Sequence, residues 1–364
     1  MIIKDIINAL EELAPLSYAE DFDNVGLLVG DKNTSVSKAL ITLDTTEKVV
    51  DEAIEKDCNL IISFHPIVFS GIKKFNGQDY VNRTVLKAIK NDIAIYAVHT
   101  ALDQVKGGVN DRICDQLKLK NSTILIPKKD YIKKLTTYVP TEQADQVREA
   151  LFEAGAGKIG NYDECSFNTE GTGTFKGDEN SNPVIGQKGV TQFEKEIQIG
   201  ITFEKHLEAA ILKALFKSHP YEEVAYEITQ LGNRYQNVGM GMIGELEQPI
   251  NESDFLQLLK REMKAACVRH SDFINKPISR VAVLGGSGSF AIRDAIRAGA
   301  DAFVTADLKY HQFYQAENKL LLCDIGHYES EQYTKNLLVE FLTKKFINFA
   351  FILSDIKTNP INYF

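Results

Sequence analysis

Along the first third of the chain, apolar runs and amphipathic runs take turns. "KALITLDTT" (38–46), "NLIISFHP" (59–66) and "IAIYAVHTALD" (93–103) are short apolar stretches that end in polar residues, the pattern of buried strands. Between them, "EKVVDEAIEKDC" (47–58) and "YVNRTVLKAIKND" (80–92) read as helices, as does the opening "MIIKDIINALEELAPL", apolar at positions 2, 3, 6, 7, 10, 13 and 16. This alternation predicts a mostly parallel sheet with helices on its faces. Ligands of such sheets gather beyond the carboxyl ends of the strands, where Asp44, His65 and the segment from His99 to Asp103 fall.

From about residue 130 the rhythm changes. "KKLTTYVP", "TEQADQVREALFEAG", "YDECSFNTEGTGTF", "EKEIQIGITFEK", "HLEAAILKALFKSH" and "EVAYEITQ" spell β-α-β-β-α-β, the ferredoxin-like order. "KGDENSNPVIGQKG" (176–189), between the two middle strands, is polar and turn-rich and reads as an exposed loop. The α/β rhythm then returns with "RVAVLGGSGS", "FAIRDAIRAGA", "DAFVTAD", "LLLCDIGH" and a last helix from Glu329. The expected architecture is one α/β core built from both chain ends, 1–127 and 235–364, with an inserted ferredoxin-like α+β domain at 128–234.

Composition narrows the function classes. The 364 residues suffice for two domains and a substantial core, and 44% hydrophobic with 25% charged residues is ordinary for a soluble globular protein. A net charge of −9 argues against a general nucleic-acid binder, whose affinity comes from Lys and Arg on phosphates. Five scattered cysteines without CxxC spacing, no signal peptide and no membrane-length apolar run point to a reduced cytoplasmic protein.

Three of the seven histidines, His65, His99 and His327, fall at the ends of strand-like runs, and a fourth, His311, follows "VTADLKY". Asp103, Asp307 and Asp324 share that pattern. If a helix begins just after Gly326 in "DIGHYESEQY", His327 and Glu331 share one face and could grip zinc, manganese or iron. The competing reading has His327 cap the helix and Glu331 face solvent. His65 alone reads more readily as structural, and "GGSGS" (285–289) is either an anion cradle or a plain tight turn.

Taken together, "DFDNVGLLVG", "SFHPIVF", "HTALD", "GGVN", "VAVLGGSG", "DAFVTADLKYH" and "DIGHYESE" resemble, in this order, the Nif-three-like family of dinuclear metal-centre proteins, whose bacterial members are commonly labelled GTP cyclohydrolase I type-two homologues. The middle of the chain resembles the PII/CutA-like insertion of the longer members. The resemblance implies a homohexameric toroid with a pair of metal ions per subunit facing an internal cavity. It also implies a metal motif of two adjacent histidines, an aspartate, and a histidine and glutamate on one helix. On this chain that motif finds His65, Asp103, His327 and Glu331, with Phe64 where the first histidine belongs. A phenyl ring has no lone pair, so the expectation becomes one firmly held ion, zinc first and iron or manganese next, and a second site weak or empty unless His99 or His311 compensates.

The implied activity is metal-dependent hydrolysis of a nucleotide-like or phosphorylated small molecule, with His311 as general acid or base and Asp307 orienting it. Equally, that pair could serve only to fix the orientation of the ligands. The alternative to an enzyme is a non-catalytic metal-binding or regulatory ring, with the loop at 176–189 as a gate; a ring around nucleic acid fits poorly with the acidic charge.

Overall fold

Burial on both faces decides which apolar runs become the central strands. Gly26–Val29 (β1), Ala39–Thr42 (β2), Leu60–Ser63 (β3) and Ala94–Ala97 (β4) come first, followed by the longer Lys120–Lys129 (β5). Every residue of β2, β3 and β4 is buried, which explains why these runs do not alternate and are apolar except at Thr42 and Ser63, the last residues of β2 and β3. Ile132–Pro140 (β6), Ser166–Phe175 (β7), Gln192–Glu204 (β8) and Tyr226–Leu231 (β9) form the middle of the chain. Arg234–Ile250 (β10), Arg269–His270 (β11), Ile278–Ser287 (β12), Ala302–Ala306 (β13), Leu321–Asp324 (β14) and Phe351–Leu353 (β15) complete it. The computed structural model describes residues 1–364 and divides into two units, Met1–Pro127 with Gln236–Phe364, and Lys128–Tyr235.

The larger unit holds two sheets, where the alternation of runs suggested one. The first has the order β1-β4-β3-β2-β15, with β15, β2, β3 and β4 parallel and β1 antiparallel at the edge. The second has the order β11-β14-β13-β12-β10-β5, with β12, β13 and β14 parallel. Each half of the chain supplies its own buried parallel trio, and each sheet gains an edge strand from the other half: β15 on the first, β5 on the second.

Register then places chemistry. Thr42 pairs with Ser63 and Ser63 with Ala97, so Asp44, His65 and His99 each lie two residues beyond the aligned ends of β2, β3 and β4. In the second sheet Thr305 pairs with Asp324, which brings Asp307 and the helix His327–Glu331 to the carboxyl edge. One expected strand is shorter than its apolar run: β4 stops at Ala97, and His99–Gln104 is a helical turn. His99 takes the turn at φ +23°, and Ala101 and Leu102 are then buried in the core beside Phe64.

In the smaller unit the strand order is β7-β8-β6-β9, antiparallel throughout. Helix Ala144–Glu153 follows β6 and helix Glu208–Ser218 follows β8, and their apolar residues Val147, Leu151, Ile211 and Leu215 share a core with Leu135, Ile199 and Ile201 of the sheet. The residues between β7 and β8 are mostly exposed. No helix of the chain is long and apolar enough to cross a membrane.

A buried carboxylate fastens the C-terminal strand to the first sheet. Glu52, 5% exposed on the helix Glu47–Glu55, accepts the backbone N–H of Asp355 at 2.8 Å, Lys56 Nζ at 2.6 Å and the Ser354 hydroxyl. Burial raises its pKa, but Lys56, Ser354 and the Asp355 N–H outweigh that and hold it below the ordinary 4.5. Glu52→Gln is expected to cost about 1–3 kcal/mol in urea unfolding at neutral pH. A depressed carboxylate stabilises the fold above its unfolded-state pKa and loses that contribution as pH falls through the lower folded value. The difference between the two proteins should therefore shrink below pH 4.5; a pH-independent difference would contradict this assignment.

Candidate metal centre

The residues beyond both sheets' carboxyl edges converge. Nε2 of His65 and Nε2 of His327 each lie 3.1 Å from Glu331 Oε2, and the three donor atoms lie within 4.8 Å of one another. Neither approach has hydrogen-bond geometry, so Glu331 Oε2 is buried with no hydrogen-bond partner. The helix His327–Glu331 supplies the i,i+4 spacing.

Each imidazole is held from behind by a carboxylate. His65 Nδ1 donates to Asp44 Oδ1 at 2.8 Å, and His327 Nδ1 donates to Asp307 Oδ2 at 2.6 Å. A carboxylate can only accept here, so a neutral ring carries its proton on Nδ1 and presents the Nε2 lone pair to the cluster. These partners are themselves supported: Thr358 donates to Asp44, and the Ser287 hydroxyl donates to Asp307. This is the carboxylate–histidine arrangement that orients metal-binding imidazoles.

Charge is concentrated and desolvated. Burial disfavours the imidazolium form of His65 and His327, but the carboxylates on both sides of each ring outweigh it, pushing His65 up to about 10 and His327 up to about 11. Burial likewise opposes the charge on Glu331, and the two imidazoles outweigh that and hold it low. Protein alone thus favours protons where a divalent cation would bring two positive charges. Two imidazoles and one carboxylate oxygen, the last without a hydrogen bond, suit a borderline cation such as zinc, iron or manganese.

Asp103 stands beside this cluster and outside its donor triangle. It is buried, its Oδ1 has no hydrogen-bond partner, and burial followed by the Glu331 charge pushes its pKa well above the ordinary value. Phe64 is fully buried, its ring centroid 4.9 Å from that of His65 and 5.5 Å from that of His99. His99 Nδ1 bonds Asp23 Oδ1 at 2.7 Å, and Asp23 also accepts from Thr100.

Asp307 turns to His327 rather than to His311, which corrects the pairing suggested by their closeness in sequence. It adopts φ +56°, a left-handed conformation uncommon outside glycine. His311 is exposed, packed against Tyr310 and Tyr314. "GGSGS" makes room for the glutamate: a Cβ on Gly286, at φ +67°, would come within 2.4 Å of Glu331 Oε1. Gly285 N–H is spent on Asn110 and Gly286 N–H on Ser330, so neither is free to cradle an anion. Asp44 was visible at a strand end, but its role as the partner of His65 needed the register; Asp23 and Ser287 lay inside quoted motifs without being singled out, and Thr358 carried no sequence signal.

Comparison with known proteins agrees with this architecture. Residues 1–360 match the Duf34/NIF3 (NGG1p interacting factor 3) family. A Bacillus subtilis (strain 168) protein named GTP cyclohydrolase 1 type 2 homolog is 38% identical over 366 residues, covering 99% of this chain and 98% of the relative. The crystal structure of a Bacillus cereus protein related to NIF3 superposes with a TM-score of 0.85 at 36% identity, covering 100% of this chain and 99% of the other. A Staphylococcus aureus protein superposes at 0.80 and 31% identity with the same coverage. The chain belongs to the Duf34/NIF3 family.

Proposed function

We propose that the chain is a metal-dependent hydrolase of a nucleotide-like or phosphorylated small molecule, with GTP ring opening among its candidate reactions. It works from one divalent ion, zinc first, held by His65, His327 and Glu331. The observation that carries this reading is the buried Glu331 Oε2, without a hydrogen bond and 3.1 Å from two imidazole nitrogens whose far sides are locked by carboxylates. A bound ion supplies Lewis acidity and lowers the pKa of water. Asp44 and Asp307 keep the Nε2 lone pairs aimed, and the buried surroundings of Glu331 exclude bulk water. The loop after His65 lines an open cavity of about 620 Å3 with Lys73 and Lys74, cations suited to a phosphorylated substrate, and Phe69 and Tyr80, surfaces for a base.

The wider assignment follows the same reasoning. Residues 128–234 are a ferredoxin-like insertion, supported by the strand order and the two helices on its sheet, and 1–127 with 235–364 form the metal-binding core. Family resemblance supports a cytoplasmic homohexameric ring. Phe64 favours a second reading, a non-catalytic metal-binding or regulatory ring, because it removes a ligand that the family pattern supplies.

Protein purified without chelator is expected to carry one tightly bound ion per chain by elemental analysis, and Phe64→His to raise that number towards two; two tight ions in the unaltered chain would overturn the mononuclear reading. Asp307→Asn leaves all three donors in place but loosens His327, so zinc affinity in a competition titration should fall about 10–100-fold. Turnover of GTP or of phosphomonoesters should disappear with chelator, return with zinc and be absent in His327→Ala. A zinc-loaded chain that turns over none of them would favour the non-catalytic ring.

A further inference from the structure

The smaller unit contains a cavity of about 720 Å3 that the metal centre does not use. Strand β7, the loop that follows it and the segment 221–225 line it. At its floor is Glu196 on β8, 8% exposed. Tyr221 donates its hydroxyl to Oε1 at 2.8 Å, and Oε2 makes no hydrogen bond. Tyr221 is fixed in turn: its N–H bonds His219 Nδ1 at 3.1 Å, while His219 Nε2 donates to the Tyr138 carbonyl at 3.0 Å. One neutral tautomer satisfies both contacts.

Strand β7 is cut away above the carboxylate. Gly171 pairs directly with Glu196, and a Cβ on Gly173 would come within 2.1 Å of Glu196 Oε2. The walls are aromatic and apolar: Phe175 meets Tyr221 edge-on at 5.5 Å, and Pro183, Val184 and Ile185 close the loop side. Charge is one-sided, with five carboxylates on the lining and a single lysine, Lys176. Two of the five are occupied by their own loop, Asp178 on the N–H groups of Asn180 and Ser181, and Glu222 on that of Asn182. Glu196 has only a neutral hydroxyl as partner. A carboxylate that faces the cavity with one oxygen unpartnered is stabilised most by a cationic donor, and aromatic walls also favour a cation.

We infer that this cavity binds a small organic amine, its ammonium group on Glu196 Oε2 and its apolar body against Phe175, Tyr221 and Val184. The site lies in a different unit from the metal cluster and does not depend on the hydrolase reading.

Phenethylamine and its uncharged counterpart phenethyl alcohol, titrated calorimetrically into the full chain, test it. The amine is expected to saturate one site per chain and the alcohol to bind about tenfold more weakly or worse. Glu196→Gln keeps the acceptor for Tyr221 and removes the charge, so amine affinity should fall by a similar factor. Failure of the amine to saturate, equal affinity for the two probes, or undiminished amine binding by folded Glu196→Gln would each overturn the inference. The comparison of probes uses unaltered protein, so it stands even if the variant does not fold.

Discussion

A carboxylate buried between two imidazoles, with one oxygen accepting no hydrogen bond, is the constraint around which the larger unit is organised. Leaving a charged group in that condition is costly, and protein alone answers the cost by holding protons on His65 and His327. Much of the surroundings exists to keep this group in place. Gly286 has no side chain because one would strike Glu331, and Asn110 and Ser330 take the N–H groups of the two glycines beneath it. Asp44 and Asp307, one from each sheet edge, fix the imidazoles from outside.

The support extends to the end of the chain. Strand β15 joins the first sheet beside β2, Ser354 and Asp355 bind Glu52, and the segment then reaches Thr358, which donates to Asp44. Asn359 goes on to bond Glu329 on the helix that carries His327 and Glu331. A strand that adds hydrogen bonds at one edge thus also steadies the orientation of His65. Two residues near the site, His99 and Asp307, hold backbone conformations that cost on the order of 1 kcal/mol each, and strain of this kind persists where the surroundings over-determine it.

Local information was legible in the sequence and pairings through space were not. Apolar runs located the central strands because burial on both faces leaves no polar alternation to misread. His327 and Glu331 were legible because four residues on a helix fix their geometry without help from the rest of the fold. By contrast, the division into two sheets, and the crossing of β5 and β15 to the edge of the other half's sheet, are encoded by no local pattern. "HTALD" read as the end of a strand because a positive φ at a histidine cannot be seen in residue types. Asp307 and His311 are close in sequence, yet the left-handed turn at Asp307 sends its carboxylate to His327 instead.

Phe64 and Asp103 are best understood together. Burying a phenyl ring contributes on the order of 2–3 kcal/mol, and here it packs with Ile62, Leu102 and Val109 at a position where an imidazole would need a polar partner. Asp103 Oδ1 also has no hydrogen-bond partner. Burial and the neighbouring Glu331 charge push Asp103 well above its ordinary pKa, so its charged form is disfavoured. Glu331 differs: burial opposes its charge too, but two imidazoles outweigh that and hold it low. On the mononuclear reading, Phe64 takes the place of a ligand beside a carboxylate whose charge is already disfavoured, while His65, His327 and Glu331 keep their donor atoms together.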